Sequence, residues 1–407
     1  MILLAHPFGN ANVRAVLRAL DEAGVLAKFV TTLGYPNSPL LSFLPQSAGR
    51  RGYDLPAAKM KPFPAREIVR LLAGAAGAKS LTEHERGWAS IDRVWRELDE
   101  RAARYLRERK MRERIHVVYA YEDCALEFYE TARDLDVRRI YDLPIAYWET
   151  AQRLLGEEAL RYPDWEPTLG GTRDSEEKLT RKMRELELAE LVICPSNFVF
   201  ESLPNITRQT KLCTVVPFGS PSLQPPREAT SGNRPLRVLF AGALTQRKGL
   251  ADLFRAMKLV DSAQVELVVM GSLLQPLRWY RERLAHFIYE RPRPHQEVLR
   301  LMRSCDVFVL PSIVEGRALV QQEAMACGLP LIATRNAGAD DLIEEGKTGF
   351  LLPIRSPQGI AEKISWCADH RESISGMGIA AQRRAAQLTW RGYGEKILAA
   401  IETLTAQ

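Results

Sequence analysis

Two glutamates, Glu315 and Glu323, flank a segment in which a glycine is followed by a predicted helix start. The apolar run 306–310 predicts a buried strand, and Gly316 lets backbone approach a ligand closely before the helix begins near Ala318. A helix start offers unpaired N–H groups and a positive dipole end, which suit a diphosphate. Glu323, about two turns further on, can bind a ribose, and Glu315 can bind sugar hydroxyls. The pattern indicates a nucleotide-sugar site, although a surface helix with a solvated Glu323 fits the same residues.

The helix is predicted to end at Cys327, because Gly328 favours a left-handed cap and Pro330 cannot continue a helix. Two roles stay open for Arg317: it adds positive charge to the donor pocket, or it points at an acidic acceptor. The residues expected to contact the donor in this segment are Gly316, Arg317, Ala318, Leu319, Val320 and Glu323.

A second predicted strand, 236–241, is followed by residues that can hold an anion. Gly242 comes directly after the strand, and Arg247 and Lys248 follow shortly. A guanidinium can hold two phosphate oxygens at once, whereas an ammonium acts as a point charge. The pair is therefore a candidate phosphate clamp, or else a charged turn before a helix.

Together these segments resemble the donor-binding signature of the retaining glycosyltransferases of family four, the large sucrose-synthase-like family with the GT-B fold. The resemblance is close over roughly residues 236–365 and loose over the N-terminal half. So many matches in the same order make it specific to the family. It rests on the segments 238–242, 247–249, 268–271, 315–330, 336–343 and 346–353.

The resemblance implies a transferase that needs no metal and no cofactor besides its nucleotide diphosphate sugar, and that retains the anomeric configuration. In the family, an Arg just after the glycine and a Lys six residues after it clamp the diphosphate. Lys248 matches the Lys position, but Ala243 stands where the Arg belongs, so Arg247 is the candidate replacement. A leaving phosphate oxygen is thought to help deprotonate the acceptor. The catalytic candidates are therefore Glu315, Lys248 and Arg247.

The N-terminal half supplies the predicted acceptor side. Gly9 and Asn10 follow the first strand. Gly9 resembles the glycine loop of the family, but a turn and helix cap explain both residues equally well. Glu122 and Asp123 end another strand at the expected cleft and can bind an acceptor hydroxyl. The family often has a His in this area, and none stands at the cleft end here.

Short apolar strands alternate with helical patterns along the chain, which predicts an α/β protein with parallel sheets. A stretch with four prolines, 220–235, predicts a linker. Two Rossmann-like, doubly wound domains with a cleft between them are expected, 1–219 on the acceptor side and 236–385 on the donor side. The segment 386–407 is expected to return to the N-terminal domain. The predicted strands are 1–6, 28–32, 116–120, 139–141, 191–194, 213–217, 236–241, 265–270, 286–289, 306–310, 330–333 and 349–352.

Length and composition agree with two soluble domains. The 407 residues fit two cores, and 46% apolar with 26% charged residues describe a globular protein. No apolar run approaches the roughly 18 to 20 residues of a membrane span. The N-terminus is better explained as a strand than as a leader. Six scattered cysteines without a CxxC pair indicate reduced residues in a cytoplasmic protein.

The net charge of +6 raises three classes of partner: nucleic acid, anionic membrane and phosphate-bearing substrates. Basic residues concentrate in 101–114, with Trp88, Trp95, Tyr105 and Leu106 before or among them. This segment predicts either a helix lying on acidic lipids, with its aromatics at the interface, or a solvated helix packed on the N-terminal sheet. Nucleic acid is disfavoured, because no recognition motif accompanies the charge.

Three functions remain open at this point. The leading hypothesis is a glycosyltransferase that acts on a glycan, lipid or small acceptor, as in polysaccharide biosynthesis. A nucleotide-sugar epimerase on the same scaffold and a non-catalytic nucleotide-sugar-binding subunit are the alternatives, the second because of Ala243. Hydrolase and metalloenzyme motifs are not found in the sequence.

Overall fold

The computed structural model describes residues 1–36, 51–108, 111, 113–170, 173–225 and 234–406. Apart from a short two-stranded pair, its strands form two parallel sheets, one in each half of the chain. The strands are β1 Ile2–Ala5, β2 Leu26–Thr31, β3 Tyr35–Pro36, β4 Gly52–Tyr53, β5 Met60–Pro62, β6 Val117–Tyr121, β7 Arg138–Asp142, β8 Leu191–Cys194, β9 Leu212–Val215, β10 Leu236–Ala241, β11 Val265–Met270, β12 Ile288–Glu290, β13 Val307–Leu310, β14 Leu331–Thr334 and β15 Gly349–Leu352.

The α-helices lie between the strands and after the last one. They are α1 Ala11–Glu22, α2 Ala65–Ala75, α3 Lys79–Thr82, α4 Ile91–Arg107, α5 Leu126–Asp134, α6 Trp148–Arg161, α7 Glu176–Leu188, α8 Asn197–Ser202, α9 Asn205–Thr210, α10 Leu250–Met257, α11 Leu277–Arg281, α12 His295–Arg303, α13 Leu319–Ala326, α14 Pro357–Asp369, α15 Arg371–Gln387 and α16 Trp390–Thr405.

Each sheet has the strand order of a doubly wound domain. The N-terminal sheet runs β5-β2-β1-β6-β7-β8-β9 and the C-terminal sheet β12-β11-β10-β13-β14-β15. Side chains of β1 alternate between two apolar clusters: Leu3 and Ala5 belong to one, Ile2 and Leu4 to the other. Both faces of the sheet are therefore covered, as parallel sheets require. The predicted α/β class with two Rossmann-like domains is confirmed.

All twelve predicted strands are present, with small shifts at some ends. β3, β4 and β5 were not predicted. β5 is a short edge strand that ends in Pro62, and proline weakens a strand pattern because it cannot donate to the ladder.

The last helix crosses back to the N-terminal sheet, as expected. Tyr393, Ile397 and Ile401 of α16 join the apolar cluster of β1 and α1. A Cβ at Gly394 would lie 2.7 Å from the Cβ of Ala19, so the two helices pack closely there. The C-terminal segment is thus part of the N-terminal core.

The described part of the predicted linker, 220–225, packs on the C-terminal domain. The Ser220 N–H donates to the Leu388 carbonyl at 2.6 Å, and the Gln224 N–H to the Ala326 carbonyl at 3.0 Å. Residues 226–233 lie outside the described residues. The predicted domain boundaries stay predictions.

Of the two alternatives for the basic segment 101–114, the structure shows the helix packed on the N-terminal domain. Tyr105 and Leu106 are buried there and are not available to a lipid interface, whereas Trp88, which precedes the segment, is 52% exposed. Arg109, Lys110 and Arg112 lie outside the described residues. Among the helices of the described part of the chain, none combines the length and the apolar character needed to cross a bilayer.

Candidate active site

Helix α13 begins and ends almost where the sequence predicts. Ala318 is its N-cap and Cys327 its C-cap, and Gly328 follows in the left-handed conformation with φ of 79°. The alanine has no side-chain oxygen with which to cap the first N–H groups. The first N–H groups of this helix therefore have no side-chain cap, and their role in binding an anion stays a prediction.

Arg247, Lys248 and Glu315 form one charged cluster beside that helix start. Lys248 Nζ bonds Glu315 Oε1, and Arg247 Nη1 lies 3.2 Å from the same oxygen. Arg247 also donates from Nη1 to the Val314 carbonyl at 2.9 Å. Two cations share one carboxylate, so the cluster carries a net positive charge.

Backbone geometry holds the cluster in place. Gly242 has φ of 147°, and a Cβ there would lie 2.9 Å from Lys248 Cδ and Cε, so the lysine stem lies across this glycine. Gly249 has φ of 73°, and its Cβ would lie 2.0 Å from the Pro311 carbonyl oxygen. The turn that carries Arg247 and Lys248 is thereby held against the end of β13.

The cluster is buried, and burial shifts the pKa values of its side chains. Burial lowers the pKa of Lys248 from its usual value; Glu315 opposes this shift and Arg247 adds to it. Burial alone would raise the pKa of Glu315, but Lys248 and Arg247 hold it below its usual value. Glu315 is therefore a carboxylate at neutral pH, fixed between two positive groups.

Glu323 lies on α13 without a strong partner. Burial raises its pKa, and the nearby His295, whose Nδ1 is 3.7 Å from Glu323 Oε1, opposes the shift. Leu319, at the first position of the helix, packs against the N-terminal core, whereas Val320 packs against the C-terminal one. The helix start therefore lies at the junction of the two domains.

The close approach at Gly316 is made by the N-terminal domain. A Cβ at Gly316 would lie 1.8 Å from the Pro144 carbonyl oxygen, and Ser196 Oγ donates to the Gly316 carbonyl at 2.7 Å. We expected this glycine to admit a ligand; in this structure it admits backbone of the other domain.

Arg317 is a buried internal residue. Its Nη1 donates to Asp341 Oδ1 at 2.6 Å and its Nε to Gln322 Oε1 at 3.0 Å. The amide of Gln322 in turn donates to the Phe218 carbonyl at 2.9 Å, just before the predicted linker. The charge of Arg317 is thus neutralised by Asp341, and Arg317 and Gln322 together connect the segment before α13 to the backbone that precedes the linker.

The predicted acceptor residues, Glu122 and Asp123, each have one carboxylate oxygen near a lysine and one without a hydrogen-bond partner in the described part of the chain. Glu122 Oε2 lies 3.2 Å from Lys182 Nζ, and Asp123 Oδ2 lies 3.6 Å from the same ammonium. Glu122 Oε1 and Asp123 Oδ1 are buried with no hydrogen-bond partner among the described residues. Asp123 has φ of 70°, a left-handed conformation that is strained outside glycine. Sequence reasoning did not find Lys182.

Gly9 and Asn10 lie at the carboxyl end of β1. Asn10 opens α1 without a side-chain cap bond, and Arg14 Nε donates to the Gly9 carbonyl at 2.9 Å. Within the described part of the chain, no hydrogen bond joins these two residues to the Lys248–Glu315 cluster. Their role at the donor or the acceptor stays a prediction.

A second contact between the domains was missed entirely. The segment after α6 docks on the C-terminal core: Trp165 packs within it, and the Tyr162 hydroxyl donates to Asp252 Oδ1 at 2.7 Å. Gln246 Nε2 donates to Glu158 Oε2 at 2.6 Å. A tyrosine and a tryptophan close together in the chain were the available signal, because both residue types are enriched at interfaces.

Comparison with known proteins agrees with the resemblance. Residues 235–370 match the family described as Glycosyl transferases group 1. D-inositol 3-phosphate glycosyltransferase of Paenarthrobacter aurescens is 29% identical over 188 residues, which are 42% of this chain and 45% of that protein. The alignments with the first curated relatives thus span less than half of the relatives' length.

Several solved structures cover the whole chain. Sucrose-phosphate synthase from Thermosynechococcus elongatus has a TM-score of 0.65 at 18% identity, covering 100% of this chain and 99% of that one. Anabaena Alr3699/HepE in complex with UDP has a TM-score of 0.62 at 17% identity, covering 100% of both chains. The GT-B fold is confirmed over the whole chain, and the resemblance to the group 1 glycosyltransferases is confirmed for the C-terminal domain.

Proposed function

We propose that this protein is a retaining, metal-independent glycosyltransferase that moves a sugar from a nucleotide diphosphate donor to a hydroxyl of a glycan, lipid or small acceptor. The observation that carries the proposal is the cluster of two cations on one carboxylate beside an uncapped helix start. HepE is described in complexes with UDP and UDP-glucose, which makes uridine diphosphate sugars the first donors to test.

The donor diphosphate takes the place of Glu315 as counter-ion of Lys248 and Arg247. A diphosphate carries more negative charge than one carboxylate, and it gains charge as the glycosidic bond breaks. Lys248, Arg247 and the N–H groups at the start of α13 stabilise that charge in the transition state, in the place of a metal ion.

Displacement frees Glu315 to accept hydrogen bonds from sugar hydroxyls. Glu323 accepts bonds from the ribose, and its weak pairing with His295 leaves it available. Gly242 gives the diphosphate access to Lys248. A phosphate oxygen of the leaving group takes the acceptor proton on the same face, which gives retention.

The acceptor binds on the N-terminal side, at Glu122 and Asp123 beyond β6. Their unpartnered oxygens accept from its hydroxyls while Lys182 holds the opposite carboxylate oxygens. Gly9 and Asn10 border the same edge of the sheet. The relatives are named as transferases, so neither an epimerase nor a non-catalytic subunit is favoured. We also propose a cytoplasmic location, which rests on the cysteine pattern.

The test is a panel of nucleotide sugars incubated with purified protein, with and without EDTA, in which nucleotide diphosphate release and the product anomer are measured. We expect release from one donor, unchanged by EDTA, and a product with the donor's anomeric configuration. Glu315→Gln should lower turnover more than donor affinity, because it contacts the sugar in the transition state. A product of inverted configuration would contradict retention, and loss of activity with EDTA would contradict metal independence. Wild-type kinetics of Glu315→Gln would remove Glu315 from the site.

A further inference from the structure

One segment of the N-terminal half leaves its own domain and packs on the other. Helix α6 starts on the N-terminal domain, where the Tyr147 N–H donates to Ser202 Oγ at 2.8 Å. Further along, Trp165 belongs to the apolar core of the C-terminal domain, and Leu186 of the next helix, α7, belongs to the N-terminal core again. Residues 158–168 are called the docking segment.

An aromatic residue anchors the docking segment. The Trp165 ring contacts the rings of Phe254 and Trp279 edge to face, with ring centres 5.8 and 4.9 Å apart. Aromatic pairs in this arrangement stabilise a contact beyond the burial of their apolar surface. Because this anchor is apolar, removal of one hydrogen bond nearby should not release the segment.

The end of the docking segment bonds the turn that carries the two cations of the donor site. Thr245 Oγ1 donates to the Thr168 carbonyl at 2.5 Å, and the Gln246 N–H donates to Thr168 Oγ1 at 3.1 Å. Thr245 Oγ1 also accepts from the Arg247 N–H at 3.1 Å. A hydroxyl has one proton, so the bond of Thr245 to the Thr168 carbonyl turns its lone pairs toward Arg247. Thr168 thus holds the two residues immediately before Arg247.

A second set of bonds holds the side chain of Gln246, which is completely buried. Its Nε2 donates to Glu158 Oε2 at 2.6 Å and to Asp252 Oδ2 at 3.2 Å. Its Oε1 accepts from the Ala251 N–H at 2.8 Å. Both hydrogens and the oxygen of the amide are therefore used. The residue before Arg247 is fixed by the docking segment at its main chain and at its side chain.

We infer that the docking segment positions Arg247 and Lys248 for the donor diphosphate. This inference rests on the proposed function and adds residues of the other half of the chain to it: Thr168 and Glu158 act through the turn and are positioning residues. A cation stabilises a leaving group only at the right distance, and a displacement of about 1 Å can lower a rate about a hundredfold. The cation turn is therefore complete only while the docking segment lies on the C-terminal domain.

The experiment compares Thr168→Val with Thr168→Ser in the full chain. Valine removes the hydroxyl, which accepts from the Gln246 N–H and donates to the Trp165 carbonyl, whereas serine keeps it. With the donor that the panel selects, Thr168→Val should lower kcat about tenfold or more and weaken binding of the nucleoside diphosphate about threefold at most, because the cations act on charge that develops in the transition state. Thr168→Ser should restore kcat to near the wild-type value. An unchanged kcat in Thr168→Val would overturn the inference.

Thr348→Val is the matched control. Thr168 and Thr348 are each 1% exposed, and the Thr348 hydroxyl also accepts from an N–H, that of Glu344 at 2.8 Å, and donates to a carbonyl, that of Leu342 at 3.0 Å. It precedes β15 and so lies at the amino edge of the sheet, away from the cations. Thr348→Val should lower the melting temperature and leave sugar transfer unchanged. Equal losses of kcat in the two valine variants would show an effect of stability alone and would overturn the inference.

Hydrogen exchange tests the positioning without sugar transfer. Amides of residues 245–249 should exchange about tenfold or more faster in Thr168→Val than in the wild type or in Thr168→Ser. Thr245→Val removes the partner hydroxyl from the other side of the contact; it should act in the same way, and it decides the matter if Thr168→Val does not fold. Unchanged exchange would overturn the inference even in an active enzyme. Faster exchange in a protein that transfers no sugar would support the positioning of the turn and remove the proposed function instead.

Discussion

The two domains use charge in opposite ways. The C-terminal core is apolar, with its main buried cluster of charge, Arg247, Lys248 and Glu315, at the domain junction. The N-terminal interior instead holds carboxylates that bond backbone of loops and helix starts: Asp99 accepts from the Glu127 and Phe128 N–H groups at 2.9 Å each. Charge gathers at the candidate donor site in one domain and fixes loops in the other.

The pKa values express the same difference. Burial raises the pKa of Asp99 to about 6, of Glu185 to about 8 and of Asp142 to about 7. In the C-terminal cluster, two cations keep the pKa of Glu315 below its usual value despite burial. A carboxylate surrounded by cations stays charged and can be exchanged for another anion, whereas one raised by burial serves as a neutral or shared structural group.

The largest expected effect is at Lys248. Lys248→Met should lower kcat/KM for sugar transfer by about a hundred- to a thousandfold, because it removes the buried ammonium that stabilises the leaving diphosphate. Steady-state kinetics with the best donor are the measurement. Lys347→Met, which removes an exposed lysine of the same domain, is the control and should leave transfer unchanged. A Lys248→Met enzyme with wild-type kinetics would mean that the cluster is structural, like the N-terminal charges.

Arg247→Ala should cost nearly as much, about two to three kcal/mol in transition-state stabilisation, if this guanidinium replaces the one missing at Ala243. Ala243→Arg should not improve the wild type, but it should partly restore Arg247→Ala. Arg391→Ala removes a guanidinium that is 90% exposed and serves as the control. Lack of rescue together with a lowered melting temperature would show that Arg247 has a structural role, through its bond to the Val314 carbonyl and its pairing with Glu315.

Glu323→Gln should weaken donor binding by roughly 1.5 to 3 kcal/mol, through lost ribose hydrogen bonds, and should change kcat little. Calorimetric titration with the nucleoside diphosphate measures this without turnover. Glu395→Gln on α16, 63% exposed, is the matched substitution. Unchanged affinity would place the ribose elsewhere in the cleft.

The last prediction concerns stability rather than sugar transfer and probes the N-terminal interior. Burial lowers the pKa of His6 to about 3 in the folded protein, whereas the unfolded chain binds this proton near pH 6.5. The stability from neutral His6 is therefore complete above about pH 6.5 and is lost as the pH falls toward 3, by at most about 1.4 kcal/mol per pH unit. Urea unfolding between these pH values should show a shallower acid dependence for His6→Phe. Parallel pH profiles for both proteins would refute the assignment.

The sequence was sufficient for most of the secondary structure. Strands 191–194, 236–241, 265–270 and 349–352 were predicted to the residue, because short apolar runs between turn residues are a strong local signal. The cap of α13 at Gly328 was equally clear, since only a left-handed glycine and a following proline are needed to end a helix.

The residues of the candidate donor cluster could be predicted from the sequence for a similar reason. Lys248 and Arg247 are adjacent, and each follows a glycine-ended strand by a short interval, so local spacing together with the family resemblance placed them near Glu315. What spacing did not indicate is that Glu315 bonds both cations.

Tertiary structure alone decided the partners that are distant in sequence. Gly316 meets Pro144, Glu122 meets Lys182 and Arg317 meets Asp341 through packing of elements that no local pattern connects. Helix α2 belongs here too: Ile68, Leu71 and Leu72 are exposed, whereas Glu67 of the same helix is buried and pairs with Arg51. Local spacing determines which residues share an element, but the orientation of an element depends on the free energy of all its contacts together.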